Sequence, residues 1–323
     1  MIDGEGANQL GQLLNDFEPD AAPRPVDEEI SQARPGQRPA LWQQSFNAAR
    51  RFYSLPGQLG REIYGAVSPR LRNRLSGKGD GKDLPPTPLA YFNTDISAQR
   101  DFVFGSLPLE AIKTVKNHFD VTVNDVVLAI VGGCLRNYLG ERGDLPDESL
   151  RTSIAVSLRA DTDDEFSNRV TAASVTLATA IADPAERLQV IAGEGIEAKQ
   201  AARGGATGFM EVMELLPPLL INAMINFAPP EKTVTMTGAN LMVSNIRGSP
   251  WPMYMAGARM TAMYPMSIIT PGTGINVTCI SYVDKVDFGI MLEPSMFPDP
   301  WPLIDDLEQA LEEYLALIPK RSP

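Results

Sequence analysis

Histidine is nearly missing from this sequence: His118 is the only one among 323 residues. The thiols are as scarce, with Cys134 and Cys279 alone and far apart within apolar runs. So few soft ligands cannot cluster around a transition metal, and no metal site is expected. Two isolated cysteines also make no disulfide framework and fit buried thiols in a reducing compartment. Positive charge is short as well: 28 Lys and Arg stand against 40 Asp and Glu, a net charge of -12. That balance excludes the concentrated basic groove that binds nucleic acid. No uninterrupted apolar run reaches the roughly 18 residues of a membrane-spanning helix. The start, Met1 to Gly6, has no basic or apolar region of the kind a secretory signal needs, so none is expected. Gly77, Gly79 and Gly81 alternate with charged residues, without a strand before them or a helix after, so no phosphate-cradling loop is expected. A cytoplasmic or peripheral protein is the resulting expectation.

The hydrophobic share of 44% with 21% charged residues reads as globular, and the length exceeds what one core usually serves, so two units are expected. Leu10, Leu13, Leu14 and Phe17 stand at helical spacing over 5–17. Pro19 to Pro39 reads as a surface connection, and Leu41 to Tyr64 as an amphipathic helix. The basic run Arg61 to Arg74 is either a solvated linker or a contact for anionic lipid headgroups. After the small, charged stretch Ser76 to Lys82 a boundary is placed, dividing the chain into 1–84 and 85–323.

Beyond it, 101–106 reads as a strand, and Leu109, Ile112 and Val115 open a helix. A longer helix from Val123 to Leu139 follows, with Thr122 as N-cap and Asn124 and Asp125 in its first turn. His118 falls in an apparent polar turn between the two helices. Alternation marks strands at 152–158 and 169–178, and Asp183-Pro184 starts a helix. Phe209 to Phe227 is largely apolar, a core piece, tunnel wall or interfacial helix. Strands are expected at 240–246, 275–283 and 285–293, the last two a hairpin closed around Asp284, before a final helix from Pro302 to Leu317. Strands and helices intersperse without a βαβ rhythm, so the fold class is α+β, a mixed sheet covered by helices.

Phe104-Gly-Ser-Leu-Pro-Leu-Glu-Ala-Ile-Lys113, then Val121-Thr-Val-Asn-Asp-Val126, form one distinctive stretch. Val243-Ser-Asn-Ile-Arg-Gly-Ser-Pro250, Met253 to Ala258, Tyr264-Pro265 and Gly274-Ile-Asn-Val277 form another. In these the chain resembles the bacterial wax ester synthase/diacylglycerol acyltransferases, with their Asn-Asp motif and Ser-Asn-x-x-Gly-Pro region. Ser249, between Gly248 and Pro250, departs from that pattern. Met1-Ile2-Asp3-Gly4 is similar to the end of the family's His-His-x-x-x-Asp-Gly motif, in the family's order relative to Asn124.

The resemblance implies a coenzyme A-dependent, chloramphenicol acetyltransferase-like fold whose first domain is incomplete here. It implies transfer of a fatty acyl group from acyl-CoA, as co-substrate rather than bound cofactor, to diacylglycerol or a long-chain alcohol. The base would be the motif's second histidine, expected just before Asp3, so the chain as printed is expected to be inactive. Asp3 and Gly4 would be the structural remnant of the motif, with Asp3 paired to Arg159. Asn124 and Asp125 would serve catalysis, while Ser244 and Asn245 would line the acyl channel. Each has a plainer reading: helix capping for Asn124 and Asp125, turn formation for Ser244 and Asn245, a strand end in solvent for Arg159. The other functional expectation is a non-catalytic lipid-binding or lipid-droplet-associated chain. Contact with a membrane or droplet surface is expected with either.

Overall fold

The computed structural model describes residues 15–21, 87–157, 170–205 and 229–319. The boundary at 84/85, Asp3, Gly4, Arg159, the run Arg61 to Arg74 and the segment Phe209 to Phe227 lie outside them. The framework is a mixed six-stranded sheet whose spatial order is β1, β8, β7, β4, β2, β3. The strands are β1 (Asp101–Pro108), β2 (Arg151–Ser157), β3 (Val170–Thr176), β4 (Leu241–Ile246), β7 (Ile275–Tyr282) and β8 (Lys285–Leu292). Strand β4 runs parallel to both β2 and β7, and the other pairings are antiparallel. A two-stranded ribbon, β5 (Tyr254–Met255) and β6 (Ala258–Arg259), stands apart. Asp16 pairs with Tyr254 of that ribbon. Asn15 to Phe17 are not helical, so the helix expected over 5–17 does not extend to Phe17; backbone pairing with the ribbon takes its place.

One face of the sheet is apolar and carries the helices α1 (Leu109–Phe119), α2 (Val123–Arg142), α3 (Pro184–Gly205) and α5 (Pro302–Ala316). Val103, Val277, Phe288, Ile290, Leu241, Val243 and Val175 point into this core. Helix α2 is buried nearly all round from Asp125 to Leu135, because it lies between the sheet, α3 and α5. Among the described residues no single helix is long and apolar enough to cross a membrane. A shorter helix, α4 (Pro230–Thr237), leads into β4; its proline start and Gly238 at φ 65 are ordinary helix punctuation. The expected caps hold: Asp183 Oδ1 accepts from the Glu186 N–H at 2.8 Å at the start of α3. Arg151 on β2 reaches Glu194 on α3 at 2.6 Å and fastens the sheet edge to the helix layer.

The hairpin β7–β8 closes as expected, with Tyr282 opposite Lys285. Its first loop residue, Val283, sits at φ 53, a conformation a β-branched residue adopts only under strain. Its N–H donates to the Ser249 carbonyl at 2.9 Å, which holds it there. Val283→Gly is therefore expected to stabilise the protein by about 1 kcal/mol, relief of strain exceeding glycine's added chain entropy. An unchanged or lower urea midpoint would refute the strain.

Asp306 on α5 has little exposure and one carboxyl oxygen without a hydrogen-bond partner. Burial pushes its pKa up to about 6, with Glu141 adding to the rise and Arg142 opposing it. The unfolded carboxyl loses its proton near pH 4, so the unfolded chain binds fewer protons between about 4 and 6. Stability contributed by this site is thus full at low pH, falls as pH rises through 6, and does not return above it. Asp306→Asn should raise stability at pH 7 by roughly 1 kcal/mol, a figure reduced for solvent screening, and leave it nearly unchanged at pH 4. Equal effects in urea titrations at both pH values would contradict this.

Candidate functional site

Of the site residues expected from the sequence, Asn124, Asp125, Ser244 and Asn245 are among the described residues and fall at two places in the fold. At the start of α2, Thr122 and Asp125 form a reciprocal cap. The Asp125 N–H donates to Thr122 Oγ1 at 3.2 Å, while Asp125 Oδ2 accepts from the Thr122 N–H at 2.9 Å and the Thr122 hydroxyl at 2.7 Å. Thr-x-x-Asp at this spacing closes the first turn because each side chain satisfies the other's free N–H. Asp125 is buried and faces Gly195 of α3, where an added Cβ would lie 3.4 Å from Asp125 Oδ1. Asn124 is half-buried, and its amide makes no hydrogen bond among the described residues.

At the end of β4 the strand alternates. Leu241 and Val243 face the helices, whereas Met242 and Ser244 face the opposite, open side of the sheet. Asn245, exposed at the strand end, accepts from the Cys279 thiol at 3.5 Å through Oδ1. That thiol is fully buried, and burial pushes its pKa well up, so it stays protonated and able to donate. Ser249, the departure from the family pattern, makes the following turn: its hydroxyl donates to the Trp251 carbonyl and accepts the Trp251 N–H. Gly248 is required there because a Cβ would run into the Ser281 carbonyl. Among the described residues no hydrogen bond or ion pair joins Asn124 or Asp125 to Ser244 or Asn245.

His118 lies in the last turn of α1 rather than in a turn between helices. It is exposed and its ring meets Phe119 edge-on at 4.8 Å. No hydroxyl, thiol or carboxyl of the described residues hydrogen-bonds to it, so it forms no triad with any of them.

Sequence reasoning missed the polar character of the open face. Register aligns Ser244 with Thr278, Thr278 with Gly289, and Gly289 with Phe104. One row further along lie Ile246, Ile280, Asp287 and Ser106. Asp287 is fully buried: Oδ1 accepts from the Ser106 hydroxyl at 2.6 Å and Oδ2 from the Met263 N–H at 2.7 Å. The chain from Met263 to Ile268 crosses this face. It is tied by that bond and by Asn276 Nδ2 donating to the Ile268 carbonyl at 3.1 Å. Gly289 lets the Pro265 carbonyl come against the sheet. The usable signal was a set of polar residues on one face of β7 and β8, Asn276, Thr278 and Asp287, interrupted by Ile280 and Gly289.

Residues 1–127 match the family model of the wax ester synthase/diacylglycerol acyltransferase catalytic domain, and residues 166–314 that of the WS/DGAT C-terminal domain. A putative diacylglycerol O-acyltransferase of Mycobacterium tuberculosis is 30% identical over 98% of this chain and 62% of its own length. An O-acyltransferase of Acinetobacter baylyi is 31% identical over 72% of this chain and 50% of its own. Among solved structures, the wax ester synthase/diacylglycerol acyltransferase from Marinobacter aquaeolei VT8 superposes with a TM-score of 0.65 at 25% identity, covering 97% of this chain and 65% of that one. The chain thus spans less than two thirds of the length of these relatives. With both family domains matched in order and the same α+β framework, the chain belongs to the wax ester synthase/diacylglycerol acyltransferase family.

Proposed function

We propose that this chain works as part of an O-acyltransferase that moves a fatty acyl group from acyl-CoA to diacylglycerol, giving triacylglycerol, or to a long-chain alcohol, giving wax ester. The observation that carries this reading is the pair of family domains following one another along a single chain. In the reaction the alcohol oxygen attacks the thioester carbonyl while a base takes the hydroxyl proton. The tetrahedral oxyanion then collapses, the carbon–sulfur bond breaks, and coenzyme A leaves as the thiol. A positioned base contributes about 10²- to 10⁴-fold, and donors aimed at the oxyanion contribute comparably.

The base belongs to the His-His-x-x-x-Asp-Gly motif whose last positions Met1 to Gly4 resemble; His118, exposed and hydrogen-bonded to no hydroxyl, thiol or carboxyl of the described residues, does not serve. Asp3, paired with Arg159, holds the motif's loop. Asn124 presents the one uncommitted amide at the α2 terminus, where N–H groups favour developing negative charge. Asp125 keeps that terminus closed. Because the Cys279 thiol occupies Asn245 Oδ1, the Nδ2 group of Asn245 is left as a donor toward substrate. Ser244 lines the open face, and Asn245, next along the strand, stands on the other side at its exposed end. Residues 1–84 go with the N-terminal acyltransferase domain and its crossover, and 85–323 form the C-terminal domain. The basic run Arg61 to Arg74 supports peripheral contact with an anionic membrane or droplet surface.

The test is ester formation from oleoyl-CoA with dioleoylglycerol or hexadecanol, by protein carrying the family's histidine motif in frame ahead of Asp3. Labelled triacylglycerol or wax ester with equimolar thiol release is expected. Thiol release without ester from either acceptor would sink the reading.

A further inference from the structure

Three groups on the open face form a short chain of hydrogen bonds with a fixed direction. Ser106 Oγ lies 2.6 Å from Asp287 Oδ1, to which it donates, and 3.1 Å from the Tyr264 hydroxyl. A serine hydroxyl has a single proton. With that proton given to Asp287, the phenol must be the donor in the contact between Tyr264 and Ser106. The phenolic oxygen then has no proton left to offer and presents only lone pairs. It welcomes a hydroxyl or N–H and disfavours a group that is itself only an acceptor. Asp287 is locked from its other side by the Met263 N–H, only one residue away from Tyr264 in sequence, so chain position and polarity are set together.

The ring that carries this oxygen packs against an apolar neighbour. The Phe104 ring packs on the Tyr264 ring with centroids 4.5 Å apart and is itself 40% exposed. Met266 and Ile268, on the same crossing segment, are 67% and 76% exposed. The register sets Asp287 and Ser106 in the row next to Ser244, on the same side of the sheet. An acceptor-only oxygen among exposed apolar side chains suits a molecule with one hydroxyl and a long hydrocarbon part.

We propose that Tyr264 binds the hydroxyl of the acceptor alcohol, with Ser106 and Asp287 as the positioning residues that fix the phenol's polarity. This deepens the acyltransfer reading and rests on it for the identity of the alcohol as substrate.

Binding of octanol and of its isomer heptyl methyl ether to the purified full chain tests it, followed by calorimetry without any acyl donor. The two ligands match in size, but only the alcohol can donate. The native protein is expected to prefer the alcohol about 5- to 10-fold, the value of one hydrogen bond. Tyr264→Phe should abolish the preference while leaving ether binding unchanged, which a merely structural role would not do. Ser106→Ala should release the phenol's proton outward and raise ether binding toward that of the alcohol. Equal binding of the two ligands by the native protein, or a preference that survives Tyr264→Phe, would overturn the proposal. A chain that shows the preference but never forms ester, even with the histidine motif supplied, would refute the acyltransfer reading instead.

Discussion

Gly132→Ala is expected to destabilise the protein by about 3 kcal/mol or more, a large fraction of the stability of a typical domain. Gly132 lies in the middle of α2, and a Cβ there would overlap the carbonyl oxygen of Leu177, just past the end of β3. That oxygen is main chain and cannot rotate aside. Its residue is also fixed, because the Leu177 N–H donates to the Leu150 carbonyl at 2.8 Å. Shifting α2 is no remedy: a Cβ on the adjacent Gly133 would already lie 2.7 Å from Arg187 Nη1 and 3.0 Å from Ala310 Cβ. The roughly 1 kcal/mol that alanine gains over glycine in helix propensity does not offset such a clash. Gly140, in the same helix, has nothing within 4 Å of its virtual Cβ. Gly140→Ala should therefore stabilise by about 0.5–1 kcal/mol. Urea midpoints that move in opposite directions for the two variants would bear this out, and a Gly132→Ala protein as stable as the native one would contradict it.

Asn240→Ala is expected to cost about 3 kcal/mol, through several buried groups left unpaired at once. Asn240 is fully buried just before β4. Its Oδ1 accepts from the Arg151 N–H at 2.9 Å, and its Nδ2 donates to Asn93 Oδ1 at 2.8 Å and to the Pro88 carbonyl. Asn93 answers by donating to the Asn240 and Gly272 carbonyls and accepting the Ala90 N–H. The two amides thus tie the chain at 88–93 to the beginnings of β2 and β4. A midpoint within experimental error of the native value would show that water replaces these bonds without penalty.

The helix layer was legible because its physics is periodic. Val126, Val127, Ile130, Val131, Cys134 and Leu135 announced α2, Thr122 and Asp183 announced their caps, and the β7–β8 hairpin followed from alternation on both sides of Asp284. Helix α2 runs on to Arg142 because Gly143, at φ 75, ends it, whereas the apolar stripe fades earlier at Gly140. The ribbon β5–β6 and helix α4 were not anticipated, since two- and eight-residue elements carry too few side chains to show a period. The open face was illegible for a different reason. Asn276, Thr278 and Asp287 look like solvent-facing residues of a one-sided sheet, and the segment that covers them, Met263 to Ile268, has no regular pattern. Asp125 illustrates the converse: resemblance marked it for chemistry, and the structure gives it a full capping role besides. Asp3, Gly4 and Arg159 lie outside the described residues.

The proposed acyl transfer assigns the base to an imidazole other than that of His118, which is exposed and hydrogen-bonds to no hydroxyl, thiol or carboxyl of the described residues. Initial rates of ester formation from oleoyl-CoA and hexadecanol should be compared for the polypeptide of these 323 residues and for the same polypeptide carrying the histidine motif ahead of Asp3, each also as His118→Ala. The motif is expected to raise the rate by at least about 10²-fold, with His118→Ala without effect. A comparable rate from the 323 residues alone, or loss of activity on removing His118, would contradict it.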